Sequence, residues 1–150
     1  VSVQTEFSDL IRAMARRDWG TADRLLDEVE SIDWRGGSQV IAAAFAIAVN
    51  ERFTADHSPT DVARFVAETR SRFPAAQSLP TLEMEALVRA ALGEVDLIEN
   101  LDPETALQMQ IVFLGKLLQD GYRAEPELEA FIADVERTAA DVLWPPKGAI

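Results

Sequence analysis

The side chains best suited to chemistry in this 150-residue chain are its single histidine, His57, and the arginine cluster Arg12, Arg16 and Arg17. An imidazole can move protons near neutral pH, provided that a partner orients it and a reacting group lies within reach. Asp56 and Ser58 flank His57 in sequence. No nucleophile elbow surrounds Ser58 or Ser38, so His57 reads as a solvated loop residue ahead of a helix start. Arg12 and Arg16 stand one helical turn apart, and a guanidinium fork matches a carboxylate or a phosphate. Asp9, Asp18 and Asp23 lie close by in sequence and favour pairing within the chain.

Other chemistries lack their residues. With no cysteine there is no thiolate nucleophile, disulfide or thiolate metal site. A carboxylate di-metal centre in a helical bundle needs Glu-x-x-His pairs, which one histidine following Arg52, Phe53, Thr54, Ala55 and Asp56 cannot supply. No calcium loop of the EF-hand type is present, and Gly36-Gly37 lacks the Gly-Lys-Ser/Thr that completes a phosphate loop. The expectation is therefore no catalytic, metal or cofactor-binding residue and no bound cofactor.

Charge points elsewhere. The chain has 14 basic and 26 acidic residues, a net charge of −12. Residues 1–75 carry 9 basic against 12 acidic, and residues 76–150 carry 5 against 14, so the second half holds −9 of the total. Such a field repels nucleic acid and anionic membrane surfaces and complements a basic protein surface. Within the acidic half, Glu125, Glu127 and Glu129 cluster at the start of a helix and Trp144 lies beyond its end. These four residues are the candidate protein contacts.

The composition, 48% hydrophobic and 27% charged, is that of a globular domain long enough to form its own core. The longest apolar run, Val40–Val49, is half of what a membrane span needs, and Glu6 and Asp9 precede the first arginine, unlike a secretory signal. A cysteine-free chain without those segments is expected in the cytoplasm.

Helical periodicity then places these residues. Apolar spacing predicts helices over 5–17, 21–31, 38–53, 59–73, 81–92, 94–101, 103–119 and 126–143, with no strand. Ser58-Pro59-Thr60-Asp61 is a strong start signal, and Asp102-Pro103-Glu104 is another. The helices at 38–53 and 103–119 are apolar nearly all round and should be buried. Residues 74–80, with two prolines, form the natural division between halves 5–74 and 81–144 of a single domain. Trp19 should plug the end of a helical core.

The two halves carry similar patterns. Phe7, Leu10, Ile11, Arg12 and Ala13 align with Met84, Leu87, Val88, Arg89 and Ala90 at an offset of 77. Ile41 and Phe45 align with Leu107 and Ile111, and Val62, Phe65 and Val66 with Leu128, Phe131 and Ile132, at an offset of 66. A duplicated four-helix unit and shared periodicity both produce such matches. The stretch from Arg17 to Ala22, the end at Ser31–Asp33, Leu92-Gly93 and Leu101-Asp102-Pro103 resemble tetratricopeptide repeats, over roughly residues 6–33 and 84–103. The resemblance implies stacked helical hairpins that bind other proteins. The expected architecture is thus all-α, about eight helices in stacked hairpins. The expected function is non-enzymatic binding of a protein partner, possessing a basic surface, as an adaptor or an inhibitor of the immunity type. A small-molecule site or enzyme pocket between the halves, and a homodimer closed through residues 106–118, are the alternatives.

Overall fold

The computed structural model describes residues 3–30, 38–53, 56–121 and 123–141, and all regular structure among them is helical. The described residues form seven α-helices: α1 (Val3–Ala15), α2 (Trp19–Glu30), α3 (Ser38–Arg52), α4 (Pro59–Arg72), α5 (Thr81–Ala91), α6 (Pro103–Asp120) and α7 (Glu125–Asp141). Two 3-10 turns, Pro74–Ser78 and Val95–Ile98, lie between them. The segment expected as a short helix over 94–101 is therefore a single 3-10 turn, and the tetratricopeptide-like stretch 84–103 lacks a second α-helix. The physical reason is Gly93, whose φ of 122° turns the chain out of α5.

The described residues divide into two compact units, one within Val1–Ala44 and Leu118–Ile150 and the other Phe45–Leu117. The division falls inside α3 and α6, whereas the sequence pattern pointed to residues 74–80. Far from being a loose connection, that stretch is held by Arg70, whose guanidinium donates to the carbonyls of Ala76, Gln77 and Leu79, while Gln77 Nε2 returns a bond to Arg70 O. Ala76 is fully buried beneath it.

In the first unit α1 and α2 form a hairpin and α7 packs along α1. Phe7, Leu10, Ile11 and Met14 of α1 and Leu128, Phe131, Ile132 and Val135 of α7 are buried, as spacing by three and four residues requires for one helix face. Asp18 caps α2 by accepting from Thr21 N. Trp19, its first residue, is half-buried. In the second unit an aromatic column runs through the core. Phe45 stacks on Phe113 at 5.8 Å between ring centroids, Phe113 on Phe65 at 5.4 Å, and Phe53 meets Phe65 edge-on at 5.4 Å. Offset and edge-on geometries of this kind add to the burial of large rings.

Both sequence-read helix starts are present. Ser58 Oγ accepts from Asp61 N while Asp61 Oδ2 accepts from Ser58 N, a reciprocal capping box, and Asp102 Oδ2 accepts from Thr105 N. Every residue from Ser38 to Val49 is buried or half-buried, and Gln108 is the one exposed residue between Thr105 and Gln119. The aligned positions Phe7, Leu10 and Ile11 and Met84, Leu87 and Val88 are all buried, as shared helical periodicity gives by itself.

α1 and α5 end in the same way. Arg17 N donates to Met14 O and Asp18 N to Ala13 O, and Gly93 N donates to Ala90 O and Glu94 N to Arg89 O. Both are Schellman closures, which place one residue in the left-handed region. In α5 that residue is Gly93, but in α1 it is Arg17, at a φ of 60°. A side chain there costs about 1–2 kcal/mol in backbone energy. Replacing Arg17 by glycine is therefore expected to stabilise the chain by about 0.5–1 kcal/mol in a denaturant titration, after allowing for the greater freedom of glycine in the unfolded chain.

Candidate functional site

The acidic cluster at the start of α7 is partly neutralised from within. Arg12 Nε and Nη2 donate to Glu129 Oε2 and Oε1, both at 2.9 Å, and Arg16 Nε and Nη2 donate to Glu125 Oε1 and Oε2 at 2.9 and 2.8 Å. Four-residue spacing on each helix makes two parallel rungs between α1 and α7. Arg12 also pairs with Asp9 at 2.9 Å, the one sequence-near partner it takes. Glu127 lies two residues round the helix from either rung and is exposed. Glu125, Glu127 and Glu129 thus do not form one surface, and Trp144 lies outside the described residues. Sequence could not expose the pairing because the partners are separated by 109 and 117 positions.

Beside the second rung, the end of α1 and the start of α7 enclose a cleft of about 370 Å³. Ala15, Leu118 and Leu128 supply apolar lining, and Arg16, Arg17, Arg123 and Glu125 supply charge. Arg17 Nη2 donates to Gln119 O at 2.9 Å, and the Arg123 guanidinium sits 4.2 Å from the centre of the Phe131 ring. The second is a cation–π contact.

A second cleft, of about 250 Å³, contains His57 with Arg52, Phe53, Asp61, Arg64 and Glu68. His57 is half-buried and edge-on to Phe53 at 6.2 Å, so it is not the freely solvated residue that its sequence position suggested. The nearby hydroxyl and carboxylate of Ser58 and Asp61 are engaged in the capping box, and the bond from Ser58 N holds the Asp61 carboxyl below its usual range. Lys116, which sequence reading passed over within the apolar run of α6, is only 1% exposed and contacts Glu68 at 3.4 Å and the face of Phe65 at 5.4 Å. A lone cation amid Phe113, Leu114, Leu117 and Leu118 was the available signal. Among the described residues no three His, Asp or Glu side chains converge as metal ligands, and no described helix is long and apolar enough to cross a membrane.

The third feature is an acidic groove of about 180 Å³ between α5 and the Val95–Ile98 turn, flanked by Glu83, Asp96 and Glu99 with Ala86, Leu97 and Leu101 in its wall. Among the described residues, Leu82, Val95 and Leu97 are the large apolar side chains most open to solvent, at 81%, 65% and 44%. Of the three, Leu97 lines the groove, and Leu82 precedes the lining residue Ala86 by one turn of α5. Residues 81–104 carry seven acids and one arginine, a net −6, and Arg89 is already held by Glu94 through two bonds of 2.8 Å. Comparison of the chain with protein-family models, curated protein sequences and solved structures found no match.

Two outcomes are expected from these contacts. Hydrogen bonds from Arg16 and Arg12 hold the Glu125 and Glu129 carboxyls below their usual range. The stability they contribute is fully present above the unfolded-state value of about 4.3 and is lost as pH falls through the lower folded-state values. A Glu125→Gln/Glu129→Gln variant should therefore lose less stability than the parent between about pH 5 and 3 in acid melts. In a double-mutant cycle, Glu68→Ala should cost about 1–2 kcal/mol, while Lys116→Met is neutral or stabilising and largely removes the effect of Glu68→Ala.

Proposed function

We propose that this chain binds a basic, amphipathic segment of another protein at the acidic groove between α5 and the Val95–Ile98 turn. The observation that carries this reading is the coincidence of the most exposed large apolar side chains among the described residues, Leu82, Val95 and Leu97, with the densest negative charge of the sequence. Single exposed leucines are ordinary on a protein surface. An exposed leucine in a groove, Leu97, with Leu82 and Val95 each next in sequence to a carboxylate of its rim, Glu83 or Asp96, instead matches a partner that alternates apolar anchors with lysine or arginine. The apolar contacts would supply affinity, and the carboxylates would speed encounter and set orientation.

The resemblance of residues 6–33 to a tetratricopeptide hairpin agrees with a binding role. The cysteine-free composition fits a cytoplasmic setting. Compared with the surface first suggested at the start of α7, the groove has a stronger claim, because its carboxylates Glu83, Asp96 and Glu99 take part in no salt bridge among the described residues, whereas Glu125 and Glu129 are bound to arginines.

The test is an NMR titration of the labelled protein with a synthetic amphipathic leucine-lysine peptide. Shifts should centre on residues 82–101, and binding should weaken steeply with salt. Leu97→Ser should reduce affinity by about tenfold. Glu83→Gln/Asp96→Asn/Glu99→Gln should flatten the salt dependence. Binding that is indifferent to both variants, or that maps elsewhere, would refute the assignment.

A further inference from the structure

We infer that the groove between α5 and the Val95–Ile98 turn is a socket for an arginine of the docking segment, whose guanidinium binds the backbone carbonyls of Ile98, Glu99 and Leu101. This rests on the reading of the groove proposed above and adds which cation it takes and on which atoms. The template lies in the same unit of the chain, Phe45–Leu117. There the Pro74–Ser78 turn leads into α5 as the Val95–Ile98 turn leads into α6. Leu79 N donates to Ala76 O at 3.1 Å and Met84 N to Pro80 O at 3.0 Å. At positions 22 residues further on, Leu101 N donates to Ile98 O at 3.1 Å and Ala106 N to Asp102 O at 2.9 Å. Ala76, Gln77 and Leu79 therefore correspond to Ile98, Glu99 and Leu101.

The first of these turns is closed from within the chain. Arg70 Nη1 donates to Ala76 O at 3.0 Å and to Leu79 O, and Nη2 donates to Gln77 O at 3.1 Å. The second turn has the same three carbonyls and no guanidinium. The position matching Arg70 is Leu92, and Arg89 is engaged by Glu94 through two bonds of 2.8 Å. Among the described residues no side chain donates to the carbonyls of Ile98, Glu99 or Leu101. These residues line the groove together with Glu83 and Asp96. Where the first turn has the amide of Gln77, which returns a bond to Arg70 O, the groove has the carboxylate of Glu99, which offers acceptors only. A site built of carbonyl and carboxylate oxygens calls for many donors. The planar fork of arginine has five, and Arg70 shows it spanning three carbonyls of such a turn, whereas the ammonium of lysine is a point charge with three.

The experiment titrates the full chain, labelled for carbonyl-carbon shifts, with two synthetic amphipathic peptides of one pattern, leucine-arginine and leucine-lysine. The arginine peptide is expected to bind about tenfold more tightly. It alone should move the carbonyl carbons of Ile98, Glu99 and Leu101, while those of Ala76, Gln77 and Leu79, already held by Arg70, stay in place. In the Glu83→Gln/Asp96→Asn/Glu99→Gln variant both peptides should weaken, yet the preference for arginine should persist, because the carbonyls remain. Equal affinity of the two peptides at the groove, or a preference that vanishes in this variant, would overturn the arginine assignment and leave the docking site standing. Shifts that map outside residues 82–101 with both peptides would overturn the docking site as well.

Discussion

Fourteen cations shared among twenty-six carboxylates is the constraint on which this structure turns. With the cations in short supply, each arginine taken up by one contact leaves negative charge unrelieved elsewhere. α1 and α7 draw on two of them, Arg12 and Arg16, to join their polar margins alongside the apolar seam of Phe7, Leu10, Phe131 and Ile132. Exposed ion pairs of this type contribute modestly to stability, because water screens them and ordering two long side chains opposes them. Their larger consequence is geometric. Two bidentate forks four residues apart favour one register between the helices, since sliding by one residue would part both pairs.

A different economy of charge appears in the second unit. Arg70 binds three backbone carbonyls and Arg89 binds Glu94, so both cations are occupied in finishing helix ends. Lys116 is buried against Glu68 and Phe65 beside the column of Phe45, Phe113, Phe65 and Phe53. These arrangements leave Glu83, Asp96 and Glu99 without ion pairs among the described residues, next to the exposed Leu82, Val95 and Leu97. The acidic groove follows from where the cations are engaged as much as from the number of carboxylates.

Local signals were legible in the sequence and distant ones were not. Ser58 and Asp61 are three residues apart, so their capping box could be read directly, and the same holds for Asp102 and Thr105. The apolar faces of α1, α4 and α7 followed from spacing, because burial of a helix face repeats every three to four residues. Spacing does not say which helix a face meets, so the pairing of Arg12 with Glu129 and of Arg16 with Glu125 stayed hidden behind nearer candidates such as Asp18. Asp18 in fact caps α2. The residues after α5 misled for another reason: Val95, Leu97 and Ile98 look like a short amphipathic helix, but Gly93 has already redirected the chain and two of the three side chains are largely exposed. Arg17 gave no sign, because a left-handed helix end is normally announced by glycine. Lys116 was lost in an apolar pattern that tolerates one cation whose tip can reach a carboxylate on a neighbouring helix.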